Sequence, residues 1–106
     1  MVNTKLQAAA QAHAQDMADR QFYGHQTPEG RTPIDRMRAQ GYQSSMTAEN
    51  IAAGQQSAEE VVAGWLKSPG LCRNILMPEL REIGVGVVVQ PSSERGSYWV
   101  QTFGAQ

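Results

Sequence analysis

Residues 65–86 constrain this chain more than any other stretch. Trp65-Leu66-Lys67 closes a helical pattern, Ser68-Pro69-Gly70 breaks it, and Leu71 to Leu76 allows one more turn before Pro78. Proline removes a backbone donor and crowds the preceding turn, so the helix has to stop and restart. From Arg81 the period changes to two, with Ile83, Val85, Val87 and Val89 on one face and Glu82, Gly84, Gly86 and Val88 on the other. Glycine weakens a strand unless something approaches its backbone closely. A helix or a ligand is therefore expected over the face that carries Gly84 and Gly86.

The remaining elements are read around that junction. Residues 4–21 form a helix with Leu6, Ala10, His13 and Met17 on one continuous face, ended near Gly24. His25 to Arg31, with Pro28 and Gly30, is a loop. Thr32 is an N-cap with Pro33 at the first helical position and Gly41 as the stop, giving a short helix over 33–40 that buries Ile34 and Met37. Ala48 to Ala53 suits a short strand. Ser57-Ala58-Glu59-Glu60 is a capping box opening a helix to Lys67, with Val61, Val62, Trp65 and Leu66 as its apolar stripe. Residues 97–103 alternate again and complete an antiparallel hairpin with the strand before them. Helices first and a strand pair last imply an α+β domain, helices covering a small antiparallel sheet.

With 106 residues and no repeat or low-complexity tract, the chain is a single domain over 1–106. A net charge of −1 gives no general attraction to nucleic acid or anionic membranes. No apolar run approaches the roughly 20 residues that span a bilayer. Arg36, Arg38 and Arg73 read as a solvated surface. Cys72 is the one cysteine, which excludes an intrachain disulfide and reads as a buried or half-buried thiol. Met1 leads straight into a polar-alanine helix without a signal peptide. That pattern fits a cytoplasmic protein or a chain that begins inside a mature domain.

Four polar residues are candidates for chemistry: His13, His25, Glu49 and Glu82. His13 lies on the apolar stripe of the first helix and reads as a core histidine with a satisfied hydrogen bond. His25 follows Phe22 and Tyr23 in a loop, where functional residues concentrate. Glu49 sits in the small apolar run 48–53, so it is either at an edge or buried with a partner. Glu82 opens the glycine-spaced strand. Their spacing is not a metal signature by itself.

Eight segments, in order, resemble the bacterial branch of the CAP superfamily (cysteine-rich secretory proteins, antigen 5 and pathogenesis-related proteins). They are Ala9 to Ala14, Phe22-Tyr23-Gly24-His25, Pro28-Glu29-Gly30, Ala48-Glu49-Asn50-Ile51-Ala52, Trp65 to Gly70, Arg73-Asn74-Ile75-Leu76, Glu82 to Gly86, and Tyr98-Trp99-Val100-Gln101. The resemblance implies an α-β-α sandwich with a cleft. In many members that cleft carries two histidines and two acidic residues, and the histidines can hold a divalent metal. His25 matches the first histidine, Glu49 the first glutamate and Glu82 the second acidic residue; Ser68 stands where eukaryotic members tend to place that acid. Leu71 replaces the second histidine. Leucine neither ligates a metal nor moves a proton, so binding of zinc or another divalent ion through His25 is expected to be weak or absent. The resemblance also implies a helical segment before residue 4 that is lacking here, with a dimer as one way to cover the exposed side.

Three functions follow as expectations. The first is a secreted or cell-envelope binding module, extracellular or periplasmic, for a lipid, envelope component or protein. The second is a hydrolase with His25 as general base and Glu49 or Glu82 orienting it or polarising a metal-bound water. That reading predicts a gain of activity on Leu71→His. The third is an inert remnant in which Glu49 holds backbone N–H groups around the Ser-Pro-Gly turn. The binding module is favoured over enzymatic activity, because Leu71 breaks the set that catalysis would need.

Overall fold

A computed structural model describes residues 1–105. The elements are α1 (Thr4–Arg20), α2 (Pro33–Ala39), β1 (Thr47–Ala53), α3 (Ala58–Lys67), α4 (Pro69–Leu76), β2 (Glu82–Gln90) and β3 (Gly96–Gly104). The three strands form one antiparallel sheet in the order β1-β3-β2. The hairpin β2–β3 is as the alternation predicts, and β1 adds to the far side of β3. Helix α1 covers one face of the sheet, and α3 with α4 cover part of the other.

Helix α1 begins where Asn3 caps it, its side-chain oxygen accepting from Lys5 N and Leu6 N. Its face of small residues, Ala10, Ala14 and Ala18 with Met17, packs on Ile51, Val100 and Tyr98. Gly84 and Gly86 lie directly beneath the helix. A methyl group at Gly84 would run into the Leu6–Gln7 backbone, and one at Gly86 into the Ala10–Gln11 backbone. The expected close approach is therefore a helix. Thr102, fully buried, fastens it further by donating to Leu6 O at 2.9 Å.

The same helix guards the exposed edge of β2. Gln7 Oε1 accepts from Val85 N at 3.0 Å, and Gln11 both accepts from Val87 N and donates to Val87 O. Upstream, Val2 forms a parallel bridge with Ile83. An open edge is a template for another strand; here side-chain amides one helical turn apart occupy it.

On the second face, Ala52, Val61 and Trp65 form a cluster with Leu71, Ile75 and Trp99 packed against it. Val62 and Leu66, read as part of the apolar stripe, are instead exposed, because α3 buries only the Val61–Trp65 line against β1. In α2 the buried pair is Arg36 and Met37, and Ile34 is exposed. The Thr32–Asp35 capping box sets that helix so that residues 36 and 37 face inward. Arg36 is thus not the solvated surface residue that composition suggested.

Candidate functional site

The site is built where the loop after α1 meets α2 and the edge strand β1. Three consecutive loop residues are pinned by three different elements. Tyr23 Oη donates to Ile51 O on β1 at 3.2 Å. Gly24 O accepts from His13 Nε2 on α1 at 2.8 Å. His25 O accepts from Arg36 Nη2 on α2. The loop is thereby held on both sides of His25 although it has no regular structure of its own.

Glu49 points from β1 toward α2, and both oxygens of its carboxylate accept hydrogen bonds. Arg36 donates from Nη1 to Oε2 at 2.8 Å and from Nη2 to Oε1 at 3.0 Å. His25 Nδ1 lies 2.9 Å from Oε1. A carboxylate can only accept, so Nδ1 carries the hydrogen in this bond. In neutral His25 that leaves the Nε2 lone pair available, and no partner for Nε2 exists among the described residues. The side chains of Glu49 and Arg36 are buried, 1% and 7% exposed, whereas that of His25 is 47% exposed. A buried ion pair thus holds an imidazole at the surface with one nitrogen free.

The electrostatics follow from this geometry. Burial pushes the Glu49 carboxyl up, but the hydrogen bonds from His25 and Arg36 outweigh it and hold the group below its ordinary value. His13, behind the loop, is held below its ordinary value by burial first and by the Arg36 charge next. It lies edge-on to Phe22 with ring centroids 5.7 Å apart. It is buried as expected, but only Nε2 is satisfied; Nδ1 has no partner among the described residues.

Glu82 is placed apart from this group. Its carboxylate accepts from Tyr42 Oη at 2.9 Å and from Asn3 Nδ2 at 3.1 Å. It sits on β2, with β3 between it and β1, which separates the two strands by roughly 10 Å at the usual spacing. Glu82 ties the cap of α1 to the buried Tyr42. The structure brings His25 and Glu49 together and gives Glu82 a different task.

Leu71 lies on the α4 side, half-buried against the Trp65 cluster. The Ser-Pro-Gly turn is tied to the sheet by Asn50 rather than by Glu49. Asn50 Nδ2 donates to Leu71 O and Gln101 Oε1, and Asn50 Oδ1 accepts from Asn74 Nδ2 at 2.9 Å. The residue next to the one expected does this work because alternate strand residues face opposite sides.

As a metal site the set is incomplete. His25 offers one nitrogen, both Glu49 oxygens are engaged, Glu82 is across the sheet, and position 71 is leucine. Among the described residues no three His, Cys, Asp or Glu side chains are placed to hold an ion. The donors present do not fit a resident divalent metal.

Arg36 is the site residue that sequence reasoning missed. The available signal was the carboxylate of Glu49 in an apolar strand, which demands a cation, with Arg36 the cation beside Met37 on the short helix.

The model of the cysteine-rich secretory protein family, CAP, matches residues 1–103. The chain belongs to this family. The CAP domain is 41% identical over 102 residues to the uncharacterized protein YkwD of Bacillus subtilis (strain 168). The match covers 96% of this chain and 38% of that protein. Among solved structures it resembles an extracellular protein containing a SCP domain from Bacillus anthracis str. Ames, with a TM-score of 0.87 at 27% identity. That match covers 99% of this chain and 33% of the other. An outer surface protein from Borrelia burgdorferi shares the fold with a TM-score of 0.85 at 22% identity, over 99% of this chain and 76% of that one. This CAP domain thus spans well under half of the Bacillus proteins it matches. Four helices around a three-stranded antiparallel sheet are the α+β arrangement that its residues and its resemblance both implied. Among the described residues no helix is long and apolar enough to cross a membrane.

Proposed function

We propose that this CAP domain is an exported binding module that contacts an envelope, lipid or protein ligand through His25, with Glu49 as its orienting partner. The observation that carries the reading is the clamped carboxylate. Glu49 accepts three N–H bonds on two buried oxygens, which hold its carboxyl below the ordinary value, so it stays a carboxylate at neutral pH and serves to hold His25. His25 then presents a directed acceptor at the surface, the kind of polar contact that fixes a ligand's orientation. In this reading Glu82 contributes by fixing the start of α1. Export is supported by the descriptions of the Bacillus anthracis and Borrelia burgdorferi proteins as extracellular and outer surface.

A hydrolase is the second reading, because an imidazole oriented by a buried carboxylate is also how a general base is held. The two readings separate by experiment. Phosphatidylglycerol vesicles and soluble peptidoglycan fragments are titrated into the chain while the backbone amide resonances of Tyr23 and Gly24, beside His25, are followed, with His25→Ala as control. Saturable shifts lost in the variant, without turnover of either probe, support the binding module. Turnover that depends on His25 would replace it with the hydrolase. No response to either probe would count against both.

A further inference from the structure

A cavity of about 260 Å³ lies between the loop after α1, strand β1 and the helices α3 and α4. Tyr23, 41% exposed, and the half-buried Ala53 and Leu71 line it above the buried Ile51 and Trp65. His25 does not line it, so the cavity is separate from the imidazole. The polar atoms of these walls are paired with one another. Ile51 O accepts from Tyr23 Oη at 3.2 Å and from Trp65 Nε1 at 2.9 Å. Gln55 is the remaining neutral polar side chain of the lining apart from Tyr23 and Trp65, and its Oε1 is buried.

Arg95, exposed, is the only charged residue of the lining. Its guanidinium lies over the Tyr23 ring, 4.7 Å from the centroid, a contact that holds it in place. The backbone on either side is fastened as well, Glu94 N donating to Gln21 Oε1 and Gly96 N to Ser93 Oγ. Among the described residues no carboxylate forms an ion pair with Arg95. A positioned guanidinium with unspent N–H donors is a two-pronged site for a carboxylate.

Gly64 is the second observation. It lies inside α3, has no left-handed φ, and lines the cavity. Glycine weakens a helix relative to alanine. An added methyl at Gly64 would meet nothing within 4 Å, so neither backbone conformation nor packing requires glycine there. What the missing side chain does is leave the cavity open.

The volume exceeds the roughly 150 Å³ that holds benzene in an apolar protein cavity. It falls short of the ~300 Å³ at which drug-sized sites begin. That suits one ring and excludes a long chain. Aromatic walls favour an aromatic occupant, because such pairs gain beyond the area they bury. We propose that this cavity binds a small aryl carboxylate, its ring against Tyr23, Leu71 and Trp65 and its carboxylate on Arg95.

The test titrates 3-phenylpropionate into the whole chain and follows the methyl resonances of Ala53 and Leu71. Two analogues separate the contributions: 3-phenylpropionamide lacks the charge and hexanoate lacks the ring. Saturable binding of phenylpropionate in the millimolar range is expected, as suits so small a ligand, with each analogue about tenfold weaker. Arg95→Gln should weaken phenylpropionate about tenfold and leave the amide unchanged. Gly64→Leu should abolish binding while its urea midpoint stays at or above that of the parent. The assignment is overturned if phenylpropionate gives no saturable shift, if either analogue binds as tightly, or if either variant binds like the parent.

Discussion

Arg36 and Glu49 meet in a two-pronged pair, Nη1 to Oε2 at 2.8 Å and Nη2 to Oε1 at 3.0 Å, with both side chains shut away from solvent. The pair joins α2 to β1, and its third bond, from His25, turns a structural contact into a way of aiming an imidazole. Taking two charges out of water is expensive, so such a pair adds little net stability but breaks badly when one member is removed.

Arg36→Leu should therefore cost about 3–5 kcal/mol, the usual penalty for stranding a buried charge. Adding Glu49→Leu should recover part of that loss, since the stranded carboxylate is then gone. Urea unfolding of the two single variants and the double variant reads the coupling. Additive losses would mean that the two side chains do not act as a pair.

Stability should fall on acidification in two stages. The His13 value in the folded protein lies below its ordinary 6.5, so the unfolded chain takes up that proton first and stability declines as pH drops below about 6.5. Glu49 in the folded protein lies below its ordinary 4.5, so its contribution is complete above that value and is lost as pH falls through the folded value. Urea midpoints across this range should show a flatter upper stage in His13→Gln and a flatter lower stage in Glu49→Gln, where Glu29 and Asp35, whose carboxyls are also held low, still titrate. A midpoint that stays constant across both windows would refute the prediction.

Gly84→Ala and Gly86→Ala should each destabilise by roughly 3 kcal/mol, the upper end of overpacking costs. The obstacle in both cases is helix backbone, which cannot rotate away as a side chain can. Gly70→Ala, where an added methyl meets nothing, is the matched control. Thermal unfolding that ranks Gly70→Ala with the other two would contradict the close approach of α1.

Replacing both Gln7 and Gln11 by Ala should uncover the β2 edge. Each substitution should cost about 1 kcal/mol in lost hydrogen bonds, and the double variant should associate at concentrations where the parent is monomeric. Light scattering against concentration checks this, and an unchanged mass would show that the glutamines do not guard the edge.

Much of the fold was legible in the residues because it depends on local rules. The period-two run from Arg81, the Pro-Gly break and the caps at Thr32 and Ser57 act over a few positions, and β2, β3, α2, α3 and α4 stand close to where those signals put them. The glycine pair even announced that something would lie on the sheet. The pairing of β1 with β3 carried no such signal, since it joins residues some 50 apart and is settled by packing.

The site divides in the same way. His25 and Glu49 could be named from the sequence through their resemblance to CAP motifs, and Glu49 could be recognised as needing a partner. Which cation answers that need, that His25 shares the carboxylate, and that Glu82 serves Tyr42 and Asn3 instead are outcomes of three-dimensional placement. The physical reason is range. Capping, alternation and helix breaking are decided between near neighbours, whereas a buried charge is balanced by whichever opposite charge the whole fold brings within hydrogen-bond distance.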